Sequence, residues 1–466
     1  MRWKYRPPGN CNEDVRRETG ARAPRLNRIA PMRGLVTARL RRGCACASSR
    51  EKKHNDNRSR LETSKGECVP DSIGRRGKLA NKSLVVIVPA LAVLAASFVA
   101  SDAPTAADQA ASLSPIAQLG ARLFVDPNLS RNRTQSCSTC HSPDYAFTDP
   151  RPTSVGRAVS GGDADGAVGD RNTPTLMYAS MTPPFAKHPD GKATGGLFWD
   201  GRADTLEEQA KGPLLNPVEM NMPDSAAVAE RIAENADYVE SFRQLFGEDV
   251  FSDPDRTLHA AAEALSAYQR TPEFAPFDSK YDRVMRGEEK FTTQEEFGRQ
   301  VFLTWNCQLC HRPLRSGGSF QTELFTSFEY HNIGLPVNTA VRALNGKNDG
   351  YVDRGLGSAQ PNNPEWSGLF KVATLRNVAV TGPYMHNGVF KELRTAIEFY
   401  NKYTSRSPAA QINPETGAPW GDAEVPDNLS ATQLKSGLAL NDNRIEALEA
   451  FLKTLTDRRY EHLLEK

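Results

Sequence analysis

Ser136-Cys137-Ser138-Thr139-Cys140-His141 decides how this chain is read, and Asn306-Cys307-Gln308-Leu309-Cys310-His311 repeats the same device further on. Two thiols three positions apart can form thioethers to the vinyl groups of one haem, and the adjacent histidine is then held where its imidazole ligates the iron. Each C-x-x-C-H therefore reads as a covalent c-type haem site. A C-x-x-C alone could be a redox dithiol, and two together could make a four-cysteine zinc site. Neither chemistry asks for a histidine directly after the second cysteine, and both copies have one.

Working outward from the first motif, Ser114-Pro115 reads as an N-cap followed by proline at the first helical position, with Ile116, Leu119 and Leu123 on one face. After His141 comes a Gly/Asp-rich loop, Gly156 to Asp170, whose composition is too polar for core. No histidine occurs between His141 and His188. Arg171-Asn172-Thr173-Pro174-Thr175 and Phe198-Trp199-Asp200-Gly201-Arg202-Ala203 come next. Thr205 with Glu208 then forms a capping-box pattern opening a short helix that Gly212-Pro213 is expected to end. Gln209 and Pro213 are four apart and share a face of it. The loop beyond reads Leu215-Asn216-Pro217-Val218-Glu219-Met220.

Residues 225 to 246 and 256 to 269 have the periodicity of amphipathic helices, and Pro272 to Pro276 with Phe277-Asp278 marks a crossing between domains. Thr292 or Thr293 starts a helix carrying Phe297, Val301 and Trp305 toward the second motif. After a long Gly/Asn/Pro-rich loop come Phe370 to Ala379 and then Thr381-Gly382-Pro383-Tyr384-Met385-His386-Asn387-Gly388. Ile445, Leu448, Leu452 and Leu455 behind Asp442 read as a packing helix near the end.

The near-balance of 58 Lys+Arg against 56 Asp+Glu hides an asymmetry. Residues 1–82 carry 22 basic and 8 acidic side chains, leaving 36 and 48 in the remainder, so the part with the motifs is acidic. The N-terminal stretch also holds Cys11, Cys44, Cys46 and Cys68. It lacks the aromatic interleaving of a nucleic-acid arm, so no nucleic-acid partner is expected. It reads instead as a disordered cytoplasmic extension, or as sequence upstream of the true translation start. Residues 83–103 contain the apolar run Leu84 to Ala100 behind Arg75, Arg76, Lys78 and Lys82, the pattern of a signal peptide or of a short membrane anchor. Either way the basic side stays in the cytoplasm and the chain beyond about residue 100 is exported. A periplasmic protein, soluble or anchored to the inner membrane, is the expectation.

Leu119-Gly120 with Leu123-Phe124, the C-S-T-C-H motif, R-N-T-P-T, F-W-D-G-R-A, L-E-E-Q-A-K-G-P, N-P-V-E-M and the segment around P-Y-M-H-N-G resemble, in the same order, the bacterial di-haem cytochrome c peroxidase and MauG superfamily. The resemblance spans roughly residues 114 to 460 and implies a set of roles. Glu219 matches the acid/base of peroxide cleavage, Gln209 the glutamine that orients peroxide, and Pro213 the distal-pocket proline. Trp199 matches the tryptophan between the haems. Asn172, Thr381 and Pro383 match ligands of one calcium ion between the domains. Trp305 matches a tryptophan through which an oxidising equivalent leaves toward a protein substrate, with a packing role as the alternative.

Two departures from the peroxidases point to the MauG-like branch. The loop after His141 lacks the histidine that caps the first haem at rest, so that haem is expected to be open. Fourteen residues beyond His386, where the peroxidases carry a methionine ligand, stands Tyr400. Phenolate is a hard donor that favours oxidised iron; Met385 is the other candidate ligand.

The expectation is thus a mainly α protein with two cytochrome c-like haem domains and long loops, at 104–275 and 276–466. Two covalent c-type haems would sit on Cys137, Cys140 and His141, and on Cys307, Cys310 and His311 with Tyr400. The implied function is reduction of hydrogen peroxide at the first haem, with oxidising equivalents stored on both. Electrons would come from a redox protein. The alternatives are oxidative maturation of a partner protein and non-enzymatic electron carriage.

Overall fold

Eight helices of nine residues or more carry the architecture among the described residues, 113–313, 323–347 and 350–465 of a computed structural model. They are α1 (Pro115–Phe124), α2 (Leu206–Leu215), α3 (Ser225–Ala233), α4 (Ala236–Phe246), α5 (Pro254–Gln269), α6 (Thr293–Thr304), α7 (Leu393–Asn401) and α8 (Asp442–Lys453). Sheet is confined to three antiparallel pairs of two-residue strands. The protein is therefore mainly helical. Residues 1–82 with their four cysteines and the run Leu84 to Ala100 lie outside the described residues, and so do the expectations placed on them. Among the described residues no helix is long and apolar enough to cross a membrane.

Local chemistry sets the helix starts. Ser114 Oγ accepts the Ala117 N–H ahead of Pro115, and Thr292 exchanges bonds with Glu295 in a full capping box. At α2 the expected box is only half made: Thr205 Oγ1 accepts the Glu208 N–H, but the Glu208 carboxylate turns to Asp204 N–H.

The apolar faces of these helices build one crossing twice. Where α1 meets α5, a Cβ on Gly120 would stand 1.9 Å from the Ala264 carbonyl oxygen; where α6 meets α8, a Cβ on Gly298 would stand 1.8 Å from that of Ala447. Only glycine lets the backbones approach so closely. Four residues on, Phe124 meets Tyr268 with ring centroids 5.4 Å apart, and Phe302 meets Phe451 at 5.3 Å. Each crossing seeds its own core, one around Leu119, Leu123, Phe124 and Phe274, the other around Phe302, Phe325, Leu448 and Phe451.

The repetition extends to the loops. Thr175 Oγ1 donates to Ala146 O and accepts from Met177 N–H, while Thr374 Oγ1 donates to Leu324 O and accepts from Arg376 N–H. Tyr178 and Asn377, three residues after these threonines, are both left-handed, with φ of 62° and 61°. Buried polar groups tie the halves together: Tyr178 OH donates to Asp457 at 2.6 Å, Asn377 Nδ2 donates to the same carboxylate, and Arg376 pairs with Asp282.

Three local expectations are corrected. Helix α2 runs through Gly212-Pro213 to Leu215. The loop after it folds back so that Met220 N–H and Met222 N–H satisfy the carbonyls of Pro213 and Leu214, which a free helix end would leave bare. The helix expected at 225–246 is two, broken where Asn235 caps α4 with its side chain. The Gly156 to Asp170 loop is not all surface: Ala158, Val159 and Val168 are buried with Val341.

Adding a methyl group at either crossing must push two backbones apart. Gly120→Ala and Gly298→Ala are expected each to destabilise the protein by about 1–3 kcal/mol, the usual range for overpacking. Denaturant unfolding checks this, and unchanged midpoints in both variants would contradict the close-approach account.

Candidate active site

Both C-x-x-C-H motifs fold as single helical turns, Cys137–Cys140 and Cys307–Cys310, on the wall of one largely apolar cavity of about 770 Å³. Each histidine ends its turn and is anchored the same way. His141 Nδ1 lies 2.9 Å from the Phe147 carbonyl oxygen and His311 Nδ1 lies 3.2 Å from that of Phe325. A carbonyl can only accept, so Nδ1 carries the proton and Nε2 keeps its lone pair for a metal. Burial holds both imidazoles toward the neutral form, His311 down to about 4. The two anchoring phenylalanines share a left-handed backbone, φ 53° and 52°.

The four thiols are unpaired. Burial pushes Cys137 and Cys307 up to about 12, and Cys140 and Cys310 up to about 11, so all four are protonated at neutral pH. Among the described residues no three His, Cys, Asp or Glu side chains converge on a metal-binding point, so the cysteine pairs do not combine into a zinc site. An apolar chamber, two free thiols on each motif and an imidazole with an unclaimed Nε2 beside each pair fit haem in both halves.

On the first side the cavity is lined by Gln209, Pro213 and Glu219. Glu219 is half-buried in a tight loop. Burial raises its carboxyl above the ordinary range, opposed by Asn216, whose Nδ2 donates to Oε1 at 2.8 Å. Its charge reaches the Cys137 and Cys140 thiols. The loop at 156–170 buttresses it: Asp163 N–H donates to the Glu219 carbonyl at 2.7 Å, and a Cβ on Gly162 would stand 2.3 Å from Val218 O. The Asp163 carboxylate in turn accepts from Asn132 N–H and Thr134 OH. A second, more open cavity of about 630 Å³ reaches the same carboxylate past Phe198, Arg202, Lys211 and Asn216.

Trp199 is clamped between the halves. Its Nε1–H donates to Asn172 O at 2.9 Å, and its carbonyl accepts from Lys371 N–H of the second half. Asn172 N–H donates to His386 O, and its Nδ2 reaches the Ala158 carbonyl at 3.3 Å. Thr381 and Pro383 line the same cavity, and Arg157 donates to Gly382 O between them.

On the second side Tyr400, in α7, lines the cavity with a hydroxyl that takes no hydrogen bond from any described residue. Burial first, then the nearby Cys310 and Cys307, hold its phenol above the ordinary range. Met385 also lines the cavity but packs with the Phe390 and Phe399 cluster. Trp305 is 7% exposed, belongs to the second core, and donates its indole N–H to Leu438 O. His188 is exposed at a hairpin turn, outside the cavity.

Three lining residues were given no role from sequence. His331 places Nδ1 3.2 Å from Ser430 Oγ and Nε2 3.5 Å from Glu329. His386 stacks on Phe370 at 3.5 Å with its Nε2 unpartnered. Lys371, brought down to about 7 by burial, donates to Gly196 O beside Trp199. His386 and Lys371 lie inside segments that carry the family resemblance, which was the available signal; His331 had none.

The family model described as di-haem cytochrome c peroxidase matches residues 114–290. The methylamine utilization protein MauG of Paracoccus denitrificans is 64% identical over 353 residues, 75% of this chain and 91% of that protein. Cytochrome c551 peroxidase of Pseudomonas aeruginosa is 32% identical over 284 residues, 60% of this chain and 70% of that protein. The crystal structure of the di-haem peroxidase BthA from Burkholderia thailandensis superposes with a TM-score of 0.65 at 33% identity, over 75% of this chain and 88% of that one. This chain belongs to the MauG and di-haem cytochrome c peroxidase superfamily, as an enzyme of the di-haem peroxidase class with haem cofactors.

Proposed function

We propose that the protein is an exported MauG-like peroxidase that reduces hydrogen peroxide in its first half and draws the electrons through its second. The observation that carries this is Glu219: a carboxyl with a raised pKa, fixed by Asn216, facing the cavity of the first C-x-x-C-H motif. Each half is a cytochrome c-like domain, with haem attached through Cys137 and Cys140 to the first and through Cys307 and Cys310 to the second. His141 and His311 are the iron ligands, and Tyr400 is the second ligand in the second half. Bound haem supplies the redox centre at which peroxide takes up electrons.

The rest of the work falls to side chains. Reduction of peroxide to two waters consumes two electrons and two protons, and one oxygen must lose a proton that the departing oxygen gains. Glu219 takes and returns that proton; its raised pKa brings it closer to neutrality than a solvated carboxylate, which eases both transfers. Gln209, half-buried on the same wall, orients the peroxide, and Pro213 shapes the pocket without offering a ligand. Trp199, bridging both halves by hydrogen bonds, is the route for charge between them. Asn172, Thr381 and Pro383 would hold a calcium ion that fixes this junction. The electron donor or protein substrate is a redox-active protein, in keeping with relatives named cytochrome c551 peroxidase.

Glu219→Gln keeps the shape and removes the base. The rate of peroxide reduction by the holoprotein is expected to fall about 100- to 10,000-fold, measured by stopped-flow absorbance with haem content unchanged. A loss of less than threefold would remove Glu219 from the mechanism.

The pH dependence comes from the same carboxyl. Its base form is populated only above its raised pKa, so the peroxide rate rises with pH through that value. Asn216 stabilises the charged form, so Asn216→Ala is expected to move the acidic limb of the pH–rate profile to higher pH. An unmoved or lowered limb would assign that limb to another group.

A further inference from the structure

The two halves repeat one another most closely around the helices α2 and α7. A bridge pairs Leu197 with Ala203 in the first half and Tyr384 with Phe390 in the second, a constant offset of 187 positions. Both are made by the same bond: Leu197 N–H donates to Ala203 O at 2.6 Å, and Tyr384 N–H to Phe390 O at 2.7 Å. At the same offset Phe198 and Met385 are left-handed, with φ of 63° and 73°, as are Gly201 and Gly388 at 69° and 61°. Thr205 and Glu392 are the N-caps, and Leu206 and Leu393 begin the helices. The alignment needs no gap. The eighth residue of α7 is Tyr400, and the eighth residue of α2 is Pro213.

We infer that position 213 is the sixth-ligand position of the first haem, occupied by the one helix-compatible residue whose ring closes on its own backbone and carries no donor atom. Resting on the peroxidase reading above, this assigns the division of labour between two copies of one fold to a single helix position. With tyrosine there, the pocket is filled and capped; with proline, the same place is left for peroxide.

The preceding position supports the reading independently. Phe399 is fully buried under Phe390 and Trp420 and seals the outer side of α7. Its counterpart is Gly212, and there the wall is missing: Gly212, Pro213 and Glu219 line the open cavity of about 630 Å³. A path from solvent thus reaches the first half where a phenylalanine closes the second. Access and vacancy are set by adjacent residues, Gly212-Pro213 against Phe399-Tyr400.

Supplying a donor at 213 should close the first site. Ferric holoprotein carrying Pro213→Tyr is compared with wild type by electron paramagnetic resonance and visible absorption. The inference expects the high-spin signal of wild type to be lost and a second low-spin signal to replace it. Pro213→Met, with a slimmer and more flexible chain, repeats the test should tyrosine disturb the fold, and Pro213→Ala, which adds no donor, should stay high-spin. Persistence of the full high-spin signal in folded Pro213→Tyr and Pro213→Met would overturn the assignment. A wild type without any high-spin haem would instead overturn the peroxidase reading on which it rests.

Discussion

The constraint on which the rest depends is the burial of two neutral imidazoles, each fixed by one hydrogen bond from Nδ1–H to a phenylalanine carbonyl. A buried histidine without that bond would be free to rotate or to flip its tautomer, and Nε2 would have no defined direction. Presenting the carbonyl requires a left-handed turn at Phe147 and at Phe325, and the threonine bonds from Thr175 and Thr374 hold the preceding residues in place. The helix crossings at Gly120 and Gly298 then set the floor against which each motif packs. Ligand direction, loop conformation and core packing are one arrangement, made twice.

Because the arrangement is made twice, difference between the halves has to come from a few positions. The first half carries a buried acid, an opening to solvent and a proline on the helix wall. The second carries a phenol without a hydrogen-bond partner and a sealed outer face. Between them Trp199 is held by both, through Asn172 on one side and Lys371 on the other. The buried pair of Arg376 and Asp282 and the bonds of Tyr178 and Asn377 to Asp457 keep that junction in register. Breaking a buried charge pair is costly, so the junction is stiff.

Much of this was legible in the chain because it is local. The spacing of Cys137, Cys140 and His141 prescribes haem chemistry by itself, and Ser114-Pro115 and the Thr292 box announce their helices. Glu219 needed the whole motif N-P-V-E-M, since a loop carboxylate is otherwise unremarked. What escaped depended on distant partners. The loop at 156–170 looks like surface by composition, yet Asp163 and Gly162 brace Glu219 from more than fifty residues away. Helix α2 passes its proline because a later loop returns to cap it. His331, Lys371 and His386 gain meaning only from what they face.

The central claim is that at rest one haem is open and the other is capped by Tyr400. The direct measurement is the electron paramagnetic resonance spectrum of the ferric holoprotein beside that of Tyr400→Phe. One high-spin and one low-spin haem in the wild type, with only the low-spin signal altered by the substitution, is the predicted result. Two low-spin haems, both insensitive to Tyr400, would contradict it.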